Sequence, residues 1–244
     1  MARPILSVKN LTIQTKVKPL FQNISFCVSR GDLFAVSGVK SSGKTTLIKS
    51  LMGLVSEGIS GEIHYVGVGK GEITYIPQNI LTKPEKFIGT VREIVAYAYI
   101  NHYKKATIAP QDWQKVDVAL GIFGLESIRE KNVEKLTAIQ TYKMKLAKAL
   151  VCDPKVMYID DPATSITAKA KTELYKTLRY ISTNMGIAII LITPEAKSIV
   201  SLADKMLFLD REDQNFFFGT CGEYCEVYNV FAKKSPCGKK KDKE

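Results

Sequence analysis

Residues Gly38-Val39-Lys40-Ser41-Ser42-Gly43-Lys44-Thr45 set two glycines, a lysine and a hydroxyl at the spacing G-x-x-x-x-G-K-[ST]. The chemistry this combination suits is the capture of a polyphosphate. The glycines let successive backbone amides curl around phosphate oxygens with no Cβ in the way, and a helix starting at the second glycine turns its positive end toward the same anion. Lys44 then reaches the β- and γ-oxygens, while the Thr45 hydroxyl ligates Mg2+. Val39, Lys40, Ser41, Ser42 and Thr46 complete the expected lining. A second candidate is Val156-Met157-Tyr158-Ile159-Asp160, an apolar strand ending in an acid that would hold magnesium through its water shell. Together the two motifs predict binding of a nucleoside triphosphate, ATP, with Mg2+. A glycine-rich turn beside a helix cap is the bland alternative, and the elements on either side of the loop argue against it.

Those elements are legible in the apolar pattern. Leu33 to Val36 reads as a short buried strand feeding the loop, and Leu47, Ile48 and Leu51 fall at helical spacing after it. Before it, Ile5, Val8, Leu11 and Ile13, then Leu20, Ile24, Phe26 and Val28, read as antiparallel strands ending at the turn Arg30-Gly31-Asp32. From Asn79 to about Leu150 the pattern is mostly helical, with a polar helix around Ala109 to Phe123 carrying Trp113. Three apolar strands follow, Val156 to Ile159, Ile187 to Ile192 and Met206 to Leu209, with a helix from Ala168 to Ser182 between the first two. Such alternation predicts an α/β fold with a parallel sheet. The domain is expected over residues 1–232, followed by a basic, disordered tail over 233–244.

Composition narrows the classes. At 244 residues with 45% hydrophobic and 24% charged side chains, the chain has an ordinary globular makeup. The longest apolar run, Ile187 to Ile192, falls far short of the roughly 20 residues of a membrane span, and no signal-peptide pattern opens the chain. Five cysteines are read as free thiols, and Cys221 and Cys225 lack a nearby histidine to complete a zinc site. The formal charge of +11 and six lysines in the last twelve residues raise nucleic acid as a partner. No aromatic side chains are interleaved with those lysines, so a nucleic-acid partner is not expected.

Leu136-Thr137-Ala138-Ile139-Gln140 and the helix-forming stretch to Leu150 resemble the LSGGQ signature of the ABC transporter family's ATP-binding domain. Tyr75-Ile76-Pro77-Gln78 resembles that family's Q-loop, and Gly89 to Glu93 the segment that follows it. The resemblance spans roughly residues 5 to 220. It implies a P-loop RecA-like core with an N-terminal antiparallel β subdomain and an inserted helical subdomain at about 79–150. It also implies a head-to-tail dimer, with each ATP between one chain's phosphate loop and the other's signature. Gln78 would sense the γ-phosphate, take part in the catalytic centre and ligate magnesium with Thr45 and Asp160. Transmembrane permease subunits become the implied partners, and the cytoplasmic face of the cell membrane the implied location.

Several positions depart from the family pattern. Its catalytic base is a glutamate directly after the magnesium aspartate, and here that position holds Asp161, whose carboxylate is roughly 1.5 Å shorter in reach. The family's switch histidine corresponds to Pro194, which offers no side-chain donor or acceptor; the neighbouring Glu195 is a weak substitute. Ile139 stands where the signature has glycine, Thr167 where the D-loop stretch from Ala163 has aspartate, and Thr15 near the place of the adenine-stacking aromatic. The expectation is tight ATP binding with slow hydrolysis, and a heterodimer with a second ABC ATPase chain in preference to a homodimer. A non-transport regulatory or ribosome-associated ATP binder is the alternative, and a small-molecule kinase would leave the signature unexplained. The run from Ile181 to Asp204, with DDPATSITAKAK before it, leans toward peptide and nickel importers.

Overall fold

The computed structural model describes residues 4–14, 19–39, 41–77, 89–160, 166–209 and 216–228. Two sheets organise them. Strands β1 (Pro4–Gln14), β2 (Pro19–Ser29) and β4 (Ile59–Tyr65) form an antiparallel sheet in the order β2-β1-β4. Strands β3 (Leu33–Gly38), β5 (Ile73–Ile76), β6 (Val156–Asp160), β7 (Ala188–Ile192), β8 (Lys205–Leu209) and β9 (Phe216–Thr220) form the second, in the order β5-β6-β7-β3-β8-β9. All neighbours in that sheet are parallel except β8 and β9. The predicted α/β fold, with its antiparallel β subdomain beside a parallel core, is what the chain adopts.

The central strands are continuous apolar runs because both of their faces are covered. Along β7, Ala188, Ile190 and Ile192 enter one core, while Ile189 and Leu191 enter the other. Phe34 and Val36 of β3 and Tyr158 of β6 join the first core with α1 (Lys44–Leu51) and the antiparallel sheet. Leu33, Ala35, Met157 and Ile159 join the second, with the helices. The apolar pattern does not single out β4, β5 and β9 as strands. β4 is polar and partly exposed along its length, while β5 (ITYI) and β9 (FFFGT) are too short to show a strand period.

On the second face lie α2 (Val91–His102), α3 (Trp113–Ile122), α4 (Ala138–Leu150) and α5 (Ala168–Met185). Helices α2, α3 and α4 pack on one another and carry the predicted helical subdomain within 89–150. Two of them open on capping boxes, Thr90 with Glu93 and Thr137 with Gln140, in which side chain and backbone satisfy each other's end groups. Arg92 fixes α2 to α3 through a two-pronged bond to Asp117, at 2.9 and 2.7 Å, while its guanidinium lies 4.2 Å from the centre of the Trp113 ring. Two short helices, α6 (Ala196–Ile199) and α7 (Cys221–Val227), complete the described residues. No helix among them is long and apolar enough to cross a membrane.

Candidate functional site

The register of the parallel sheet brings the candidate residues to one edge. Ile192 at the end of β7 pairs with Asp160 on one side and Val36 on the other. Gly38 pairs with Leu209. Asp160, the start of the phosphate loop and the turn after Ile192 therefore share the carboxyl end of the sheet, where α/β folds of this kind place their ligands.

The loop is shaped by steric necessity. Gly38 has φ +141°, and a Cβ there would lie 2.2 Å from the Leu209 carbonyl oxygen. Gly43, at φ +90°, would drive a Cβ to 2.5 Å from Leu20 Cδ2 and 2.9 Å from Phe21 Cζ. Both glycines are thus required by close approach as well as by backbone conformation. Helix α1 begins directly after Gly43, with no acidic residue in its first turn and with the Thr45 side chain exposed there. Ser42 is buried, and Val39 and Thr46 flank it at the surface. Ser41 adopts φ 62°, a left-handed conformation that L-residues other than Asn and Asp seldom take. The glycine pattern gives no hint of that conformation. Lys40 lies outside the described residues.

Lys44 Nζ donates to the carbonyls of Gly38 and Val39, at 2.9 and 2.7 Å, and to Ser42 Oγ at 3.1 Å. The ammonium thus sits at the mouth of the loop it belongs to. Burial pushes its pKa below the ordinary lysine value, and the negative charge of Asp160 pulls it back up. This coupling ties the two predicted motifs together, since Asp160 acts on the Lys44 charge from two strands away. Asp160 is buried, with 8% of its surface exposed. Its carbonyl accepts a hydrogen bond from Tyr142 Oη at 3.2 Å, and its carboxylate accepts one from Tyr75 Oη at 3.5 Å. Sequence reasoning misses both contacts, because residue spacing does not say which atom a tyrosine hydroxyl meets.

These residues fit a nucleotide polyphosphate with magnesium. The two glycines let the loop pack against Leu209, Leu20 and Phe21, Lys44 supplies the cation, and Thr45 with Asp160 supplies the hard oxygen donors that Mg2+ prefers. Gln78 and Asp161, also predicted for this site, lie outside the described residues, as do Thr15 and Ala163 to Ser165.

The remaining motifs occupy two further places. At the first turn of α4, Thr137 Oγ1 accepts from Gln140 N at 3.4 Å, and Gln140 Oε1 accepts from Thr137 N at 3.0 Å. Ala138 and Ile139 lie between them, both partly exposed. After β7, Thr193 is buried and bonds by its backbone N–H to Val36 O at 3.0 Å, while Pro194 is exposed. Glu195 turns to Lys171 of α5, with Oε2 3.3 Å from Nζ, so its carboxylate is already engaged. Thr167 caps α5 by accepting from Ala170 N at 3.3 Å.

Comparison with known proteins agrees with this geometry. The family model described as "ABC transporter" matches residues 21–164, more than half of the chain. The "Probable metal transport system ATP-binding protein" of Thermotoga maritima is 26% identical over 207 residues, covering 85% of this chain and 82% of that protein. The zinc transport system ATP-binding protein AdcC of Streptococcus pneumoniae is 25% identical over 217 residues, covering 86% and 92%. Among solved structures, cbiO1 of Clostridium perfringens, part of the ABC transporter complex cbiONQ, superposes with a TM-score of 0.81 at 22% identity and 94% coverage of each chain. That last likeness speaks for the fold.

Proposed function

This chain belongs to the ABC transporter family, and on that premise we propose that it is the Mg-ATP-binding subunit of a transporter for metal ions or their complexes, with impaired hydrolysis. The observation that carries the binding half is Lys44 seated on the carbonyls of a glycine loop with no space for a Cβ, at the end of the sheet it shares with Asp160. In this reading Lys44 leaves its own loop carbonyls for the β- and γ-oxygens, and the amides from Gly38 to Thr46 hold the phosphates. Thr45 and Asp160 hold Mg2+, with Gln78 beside the γ-phosphate. Bound magnesium would neutralise charge developing on the phosphates.

Slow cleavage follows from what the other motifs hold. Asp161 follows Asp160 in sequence where the family has its catalytic base, and a carboxylate displaced by about 1 Å can lose roughly a hundredfold in rate. Pro194 offers the γ-phosphate no hydrogen bond, and Glu195 is paired with Lys171. Ile139 puts a β-branched side chain at the first turn of α4, where a second chain's phosphate would need close backbone approach. These changes fall on both halves of a head-to-tail dimer. A heterodimer with a second ABC ATPase, docked on transmembrane permease subunits at the cytoplasmic face of the membrane, is the assembly that suits them.

Of the cargo classes the sequence suggested, peptides and nickel, the metal class has the support of two relatives that carry metal or zinc transport in their names. Titration of the purified chain with ATP and Mg2+ tests the core of the reading. Saturable binding that disappears in Lys44→Ala is expected, and a wild-type chain that binds no nucleotide would refute it.

A further inference from the structure

Asp160 is approached by tyrosine hydroxyls from two elements, and the two contacts differ in kind. Tyr142, from α4, donates to the backbone carbonyl at 3.2 Å. Tyr75, from β5, donates to carboxylate Oδ2 at 3.5 Å. The second meets a carboxylate oxygen, one of the pair that would face a cation.

The sheet explains how Tyr75 gets there. Strands β5 and β6 are parallel, and Tyr75 lies opposite Tyr158, two residues before Asp160. Residues 158 and 160 point to the same face of a strand, which is the face carrying Tyr75, Tyr158 and Tyr65. Two residues of strand advance the chain by about 6.6 Å, close to the reach of a tyrosine side chain. A ring leaning along the strand direction therefore brings its hydroxyl level with the carboxylate. The ring is half-buried, and on the same face Tyr158 Oη makes a 2.5 Å contact with Tyr65 Oη, which donates to Leu51 O at the end of α1.

We propose that Tyr75 is a positioning residue for the magnesium-binding carboxylate: its hydroxyl takes Oδ2 and so sets the plane in which the group meets the water shell of the cation. An aspartate's last torsion is broad and poorly fixed by its own rotamer preferences, so a donor on one oxygen sets the plane of the group. Partners of this kind around a metal-binding carboxylate commonly influence affinity by about tenfold or more. Tyr75 is also three residues before Gln78, so the same contact ties the start of that segment to Asp160.

The inference rests on the Mg-ATP reading above, and the experiment separates the two. Binding of a fluorescent ATP analogue is measured in EDTA and across a Mg2+ titration for the wild type, Tyr75→Phe and Tyr142→Phe, with thermal melting for each. Tyr75→Phe keeps the ring and removes only the hydroxyl. The expected result is about a tenfold rise in the Mg2+ concentration needed for half-maximal binding, with EDTA binding and melting temperature close to wild type. Tyr142→Phe, which leaves the carboxylate contact in place, is expected to keep the wild-type Mg2+ requirement even if it melts earlier. An unchanged Mg2+ requirement in Tyr75→Phe, or an equal rise in both variants, overturns the positioning role and leaves the Mg-ATP reading standing. Failure of the wild type to bind the analogue under either condition overturns both.

Discussion

The phosphate loop and the turn after β7 sit at the same edge of one sheet, two strands' ends joined by the bond from Thr193 N to Val36 O, yet they differ in what their side chains can do. In the loop, the fixed positions of the motif each answer a physical need, for Gly38 and Gly43 are sealed against any Cβ and Lys44 is the cation at the mouth. In the turn, the scaffold is equally well held, since Thr193 is buried and bonded, but the exposed residue that follows is a proline. The first turn of α4 repeats the contrast, with a sound capping box around an isoleucine. The backbone is bonded in all three places, and on the function proposed above, holding a triphosphate and cleaving it are separable demands on this fold.

The largest expected effect removes the binding half of that contrast. Lys44→Ala deletes charge-assisted bonds worth about 1.5–3 kcal/mol each, and should weaken Mg-ATP binding by more than about a hundredfold in a direct titration while the protein still melts cooperatively. Next comes Gly38→Ala. Its Cβ would stand 2.2 Å from the Leu209 carbonyl, so β3 and β8 must part, and urea unfolding should show a loss of about 3 kcal/mol. At the small end is Ser41→Gly. Relief of a left-handed residue gains about 1 kcal/mol and the added chain entropy costs nearly as much, so stability should stay within about 0.5 kcal/mol of wild type. A large change at Ser41 would mean that its side chain, and not the loop backbone, governs the conformation there.

Much of this contrast is legible in the sequence, for identifiable reasons. The strands β3, β6 and β7 are covered on both faces and so appear as unbroken apolar runs, which fixes the sheet and the segments leaving it. The loop motif combines glycine, lysine and hydroxyl requirements at fixed spacing, and few other structures need all of them at once. Edge strands β5 and β9 escape because their four and five residues are too few to show a strand period. Tyr75 and Tyr142 escape because a hydroxyl's target depends on register and helix packing, which residue spacing does not contain. The engagement of Glu195 by Lys171 joins residues 24 apart, and only the packing of α5 against β7 reveals it.

The separation of holding from cleaving is tested most directly by a single-turnover assay. ATP labelled at the γ-phosphate is bound to excess protein assembled with the subunits that copurify with it, and conversion to ADP is followed in the wild type and in Asp161→Glu combined with Pro194→His. The wild type should retain intact ATP long after mixing, and the double variant should cleave it up to about a hundredfold faster. Wild-type cleavage at an ordinary rate of about 10 per second, with no gain in the double variant, would contradict that separation.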